Sequence, residues 1–202
     1  MKTSKKDNSN VLVLEHSRTA HKVVSSGIPV IDSRLGGGLS INQVTELVGP
    51  VYITHLLAQS CISTAQSQGL PVAVIDYVHE LALSRCSLEA AEVVQPDMVA
   101  ALPGLVTRFA RSGIKLVVAF LGDSVFFDHG IPRSPADRNL SRALRQLQWA
   151  TASSGLACLL VSDGPIMPDG ATVARAFGFK PETGEIFLKV TPALEHRTAA
   201  VG

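Results

Sequence analysis

Charge is scarce in this sequence: 17% of its 202 residues are Asp, Glu, Lys or Arg, and they leave a net charge of +1. So balanced a chain carries no long-range field that would draw nucleic acid or an acidic membrane surface, so contact with either has to rest on a local patch. Cysteine is equally sparse. Cys61, Cys86 and Cys158 are odd in number and far apart, which excludes a disulfide framework and reads as reduced, buried small hydrophobes of a cytoplasmic protein. No apolar run approaches the roughly 20 residues of a membrane span. After the basic, polar segment Met1–Asn10, the apolar run Val11–Leu14 is too short for the core of a signal peptide. There is no internal repeat, and no Ser/His/Asp or Cys/His arrangement for nucleophilic catalysis. Asp123, Asp128 and His129 lie close in sequence, but their spacing is irregular and a fourth ligand is missing, so no metal site is expected.

What the chain has in plenty is apolar residues, 46% of the total. That content and length suit one α/β core domain, expected over residues 10–194 between a disordered tail at 1–9 and a loose tail at 195–202. Short apolar runs read as strands at Val44–Val48, Val72–Ile75, Glu92–Gln95, Ile114–Leu121 and Leu156–Val161. Between them, helical spacing predicts helices over His55–Gln68, Leu81–Leu88 and Val99–Arg111. A further helix opens at Ser134-Pro135-Ala136-Asp137, with Leu140, Leu144, Leu147 and Ala150 as its buried stripe. Phe177–Lys180 and Glu185–Val190 are placed to pair as a hairpin across Pro181–Gly184. Repeated strand–helix alternation implies a mostly parallel β-sheet sandwiched by helices.

One stretch organises the rest. Ser26–Leu39 contains a short helix around Ile31–Leu35 that ends at Gly36-Gly37-Gly38. The strand Val44–Val48 follows, then a sharp turn at Gly49-Pro50 and a helix. Strand, glycine turn and helix together build a phosphate cradle, in which backbone N–H groups face an anion and a lysine supplies charge. The residues required next, Gly-x-x-x-x-Gly-Lys-Ser/Thr, are absent. The chain reads Gly49-Pro50-Val51-Tyr52-Ile53-Thr54-His55, without the second glycine and without the lysine, in a loop about two residues short.

The run Ser26–Pro50 resembles the entry to the ATPase core of the RecA recombinase superfamily, and the likeness extends over roughly 170 residues. Asn10–Leu14 resembles the strand preceding that core. Val74–Leu81 resembles the strand and turn carrying the family's catalytic glutamate, and Val94–Asp97 the strand end that follows. Ser112–Val118 with Asp123-Ser124-Val125 resembles the Walker B region. Ser141–Leu147 resembles the helix after the first DNA loop. No single motif is specific; their order and spacing carry the resemblance. It implies a RecA-like P-loop NTPase core with degenerate Walker motifs.

Taken residue by residue, the resemblance points to a nucleotide site without its chemistry. Gly49 and Pro50 stand in the loop. Thr54 is the nearest match to the hydroxyl that holds magnesium, and His55 offers only an imidazole where a fixed ammonium belongs. Tyr77 and Val78 occupy the place of the catalytic acid, Asp76 and Glu80 reading as caps of the following helix. Asp123 and Ser124 arrive about two residues late for Walker B. The two DNA-facing loops correspond to Phe126–Arg133, with His129 and Arg133, and to Asp163–Gly170, which has two acids and no base and would repel phosphate. Ser162-Asp163 replaces the family's Asn-Gln relay. The expectation is therefore a protein with no catalytic residues, no cofactor and no metal, acting by protein contact in DNA repair, recombination or the SOS damage response. Related degenerate members include recombinase mediators, accessory factors of translesion synthesis and SOS division inhibitors. Expected partners are a RecA-like recombinase, another repair-pathway protein or a second copy. Val11, Leu12, Val13 and Leu14 would form the assembly strand; DNA contact would be weak and membrane contact absent. Two alternatives differ in class: a diverged ATPase that binds DNA and nucleotide through a remodelled loop, and a DNA-binding protein without ATPase activity.

Overall fold

The computed structural model describes residues 22–78, 91–96, 98–121, 127–128, 131–132, 138–167, 171–180 and 185–191. The strands are β1 (Val23–Val24), β2 (Leu39–Ser40), β3 (Val44–Val48), β4 (Val72–Asp76), β5 (Ala91–Val94), β6 (Leu116–Phe120), β7 (Phe127–Asp128), β8 (Ile131–Pro132), β9 (Ala157–Ser162), β10 (Thr172–Lys180) and β11 (Glu185–Thr191). The helices are α1 (Pro29–Arg34), α2 (Val51–Ser67), α3 (Leu102–Arg111) and α4 (Arg138–Ala152). Seven strands form one sheet in the order β11-β10-β3-β9-β6-β4-β5. All neighbours in it are parallel except β10 and β11, which pair as the antiparallel hairpin expected from the sequence. The chain is thus α/β, with a mostly parallel sheet flanked by helices.

The four central strands, VTELV, VAVID, LVVAF and ACLLVS, are buried along their whole length. Parallel strands covered on both faces have to be almost continuously apolar, which is the pattern that marked them in the sequence. Side-chain alternation then divides the core in two. Val72, Val74, Leu116, Val118, Phe120, Leu159 and Val161 face α2, against Ile53, Leu57, Cys61 and Ile62. Ala73, Ile75, Val117, Ala119, Leu121 and Leu160 face the opposite side, against Val106 and Phe109 of α3 and Leu144 and Leu147 of α4. Because β3, β4, β6 and β9 run parallel, their carboxyl ends share one edge of the sheet. In such sheets that edge, where successive helices leave to opposite faces, is where ligands bind.

Three expectations change. The helix expected from His55 begins at Val51, because the Pro50 carbonyl already accepts the N–H of Ile53 at 2.9 Å and of Thr54 at 3.1 Å. The glycine-rich stretch is flanked by two short strands that close it: β1 pairs antiparallel with β2. The segment expected as a loop at Phe126–Arg133 contains a two-residue hairpin, β7 against β8. Cys61 and Cys158 are free and buried. The expected assembly strand Val11–Leu14, the helix Leu81–Leu88 with Glu80 before it, the helix start at Ser134–Asp137 and Cys86 all lie outside the described residues.

Candidate functional site

The Ser26–Gly38 stretch proves to be a buttress. Asp32 on α1 accepts hydrogen bonds from the Ser26 N–H at 2.8 Å, the Ser26 hydroxyl at 2.6 Å and the Ser25 hydroxyl at 2.6 Å. A carboxylate held by several donors near its own helix start fixes the turn. Gly27, at φ 73°, lies against Thr64 of α2 with no room for a Cβ. The Ser26 carbonyl accepts the Ser60 hydroxyl at 3.4 Å. The turn is thereby fastened to α2, which follows β3 and borders the carboxyl edge.

At that edge Gly49 leaves β3 with φ 155°, and an added Cβ would lie 2.5 Å from the Ala176 carbonyl oxygen. Its N–H donates to the Ser162 carbonyl at 3.2 Å, extending the β3–β9 ladder by one rung. The glycine is therefore explained by close packing against β10. With α2 starting at Val51, Pro50 is its N-cap and no side chain caps the helix. No turn of loop separates strand from helix to curl around a phosphate chain. The Thr54 hydroxyl, matched by resemblance to a magnesium ligand, is buried and points back into its own helix, donating at 3.3 Å to the Pro50 carbonyl and at 3.1 Å to that of Val51. Around the helix start Val51, Tyr52 and Leu56 are 47%, 68% and 51% exposed. An apolar patch stands where an anion-binding loop was sought.

His55 is half-buried, its ring edge-on to Phe120 with centroids 4.8 Å apart. Burial lowers its pKa, partly offset by the negative charge of Asp76. Asp76 ends β4 beside Phe120 and is fully buried. It accepts the Val78 N–H at 3.0 Å and the Gln95 side-chain N–H at 3.1 Å. Asp76 thus closes its own turn and is bonded to the segment after β5, while the helix it was expected to cap lies outside the described residues. A buried carboxylate satisfied by fixed donors serves as a strut between the β4 turn and the segment after β5. Val78, at the position the resemblance gives to the catalytic acid, packs partly buried on the α2 side of the core.

The strand β3 is buried as expected despite the acid at its centre, which has no place in the expected site. Glu46 is fully buried. Its Oε1 accepts the Ile166 N–H at 2.7 Å and the Ser162 hydroxyl at 3.3 Å, and the Met167 N–H lies 3.4 Å from both oxygens. It pins the segment after β9, the first part of the stretch assigned by resemblance to the second DNA loop. Asp163 in that segment is exposed. The signal was present in the sequence, since an acidic side chain in a strand buried on both sides requires hydrogen-bond partners. Asp123, Ser124, His129, Arg133 and Gly170 lie outside the described residues, so of the expected site the structure brings together Gly49, Pro50, Thr54, His55, Asp76 and Val78. Among the described residues no three His, Cys, Asp or Glu cluster as a metal site, and no helix is long and apolar enough to cross a membrane. No protein-family model matches the chain.

Proposed function

We propose that this protein is a catalytically silent RecA-like paralog that works by binding another protein in DNA repair, recombination or the damage response. The observation that carries the reading is the start of α2. The helix begins two residues past Gly49, carries no lysine in its first turns and presents Val51, Tyr52 and Leu56 to solvent. Phosphoryl transfer depends on positioning and charge neutralisation around the phosphates, and the first turns of α2 carry no cation for it. Apolar and aromatic side chains exposed together are the ordinary makings of a protein interface. The partner favoured by the resemblance is a RecA-like recombinase core, with self-association as the second choice.

The test is sedimentation of the full chain with a purified RecA-type recombinase, with and without magnesium-ATP. Comigration that survives without nucleotide bound to this chain, and that weakens in Tyr52→Asp or Leu56→Asp, supports the reading. Magnesium-ATP turnover by the chain alone would replace it with the diverged-ATPase alternative.

A further inference from the structure

The outward faces of α3 and α4 carry a one-sided charge. Neither helix contains an acidic residue, yet together they hold Arg108, Arg111, Arg138, Arg142 and Arg145, five of the chain's eleven arginines. The two helices pack against each other. Each joins the carboxyl end of one parallel strand to the start of another, so they run side by side in the same direction.

On α4 the arrangement is sharper. Arg138, Arg142, Arg145 and Trp149 follow one another at steps of four, three and four, which places them in one stripe along the helix. The core residues Leu144 and Leu147, with the buried Thr151, occupy the opposite face. Arg142 and Arg145 are exposed and form no ion pair among the described residues, whereas Arg108 is bridged to Glu92 at 2.9 Å. Trp149 is 78% exposed, the most exposed large apolar side chain among the described residues.

Ordinary helix physics does not account for this stripe. Cations belong near a helix C-terminus, and Arg108 and Arg111 in the last turn of α3 follow that rule. On α4 the arginines run from its first residue to its middle, away from the C-terminus, and no acidic residue within the helix accompanies them. Nor is a tryptophan needed for solubility on an outward face. Arginine and tryptophan are among the residue types most enriched where binding energy is concentrated.

We infer that the outward face of α4, flanked by the end of α3, is a docking surface for an acidic amphipathic helix of a partner protein. Carboxylates at matching helical spacing would meet Arg142 and Arg145 as bidentate pairs, for which the guanidinium fork is suited and an ammonium is not. An apolar side chain one turn further on would lie against Trp149. The stripe is about 16 Å long, enough for three turns of a helix. The face is the convex outside of a helix, whereas single-stranded nucleic acid is held in grooves. A lone exposed tryptophan is too little apolar surface to seat a helix in a lipid boundary. The site is separate from the carboxyl edge and stands whatever becomes of the reading given to that edge.

Trp149 is the chain's single tryptophan, so its fluorescence reports the site directly. The full chain is titrated with three probes: a synthetic amphipathic helix with glutamates and leucines at three- and four-residue spacing, an oligothymidylate, and vesicles of anionic phospholipid. Saturable binding of the peptide with a blue shift of Trp149 is expected. The affinity should fall at least about tenfold in Arg142→Glu/Arg145→Glu. It should fall less in Arg142→Lys/Arg145→Lys, which keeps charge and loses the fork. Calorimetry with Trp149→Ala should show a further loss of peptide affinity. All these positions face solvent, so the thermal midpoint of each variant serves as a folding control and should not move. A peptide that fails to bind, or binds the Glu variant equally well, overturns the inference. Tighter binding of the oligothymidylate, lost in the Glu variant, overturns it in favour of nucleic acid. Equal response to peptide and vesicles overturns it as unspecific charge attraction.

Discussion

Glu46 Oε1 accepts the backbone N–H of Ile166 at 2.7 Å, across 120 residues of chain. A buried carboxylate in the central strand thus holds the segment that follows β9. Replacing it with Leu leaves the N–H groups of Ile166 and Met167 without their acceptor, each a donor that is costly to bury unpaired. We expect Glu46→Leu to lower stability by about 2 kcal/mol and Glu46→Gln, which keeps one acceptor oxygen, by clearly less. Amide hydrogen exchange at Ile166 and Met167 should rise in the Leu variant more than exchange within β6. Unchanged exchange at those two amides would show that the segment is held by other contacts.

Gly49 carries a second expectation. Its φ of 155° lies where side chains are disfavoured, and a Cβ would press on the Ala176 carbonyl oxygen at 2.5 Å. Because the clash is with backbone, β3 and β10 must part. Gly49→Ala should cost about 1–3 kcal/mol, read as a lower denaturation midpoint. Gly36→Ala is the comparison: it also has positive φ, but nothing lies within 4 Å of the added atom. Its loss should be the smaller of the two. Equal losses would show that conformation alone, rather than contact with β10, requires Gly49.

The fold was legible because it depends on runs of residues. Val44–Val48, Val72–Ile75 and Ile114–Leu121 announced buried strands by being apolar without interruption, and the hairpin of β10 with β11 was marked by two strands flanking a turn. The site was less legible because it depends on one or two atoms at each position. Gly49-Pro50 has the same letters whether it opens a phosphate loop or starts a helix at once. The difference lies in the Pro50 carbonyl, which closes a helical turn at Ile53 and Thr54. Asp32 looks like an ordinary acid in the first turn of α1, and only the folded chain brings Ser25 and Ser26 to it. Gln95 gave no hint of its bond to Asp76, because that bond spans two strands.

His55 gives a dependence on pH. Burial against Phe120 pushes its pKa below the ordinary value of 6.5, and the nearby Asp76 only partly restores it. The folded state therefore binds this proton less readily than the unfolded state. Above pH 6.5 the ring is neutral in both states and contributes no penalty. As pH falls below that value the unfolded chain takes up the proton first, so stability declines. His55→Phe keeps an aromatic ring beside Phe120 and removes the titration. The difference in thermal midpoint between variant and parent should grow in the variant's favour from pH 7.5 to pH 5. A difference that stays constant across that range would mean the imidazole is protonated as easily in the folded protein as in the unfolded one.

The last expectation concerns nucleotide. A phosphate cradle needs backbone N–H groups arranged around the anion, a fixed positive charge and a hydroxyl for the metal. Here the helix begins at Val51 without a loop, the first turns of α2 carry no lysine, and the Thr54 hydroxyl donates to carbonyls of its own helix. Calorimetry should find no micromolar binding of magnesium-ATP. Restoring the acid alone cannot change this. Val78→Glu would place a carboxylate beside Asp76, whose charge is already held by the Val78 N–H and Gln95. Water activation has no use where no phosphoryl group is bound. The variant should release no phosphate above the parent's background in the presence of magnesium-ATP, and its midpoint should fall because Val78 is partly buried on the core. Magnesium-dependent phosphate release from this single variant would show that the cradle is intact and only the acid had been lost.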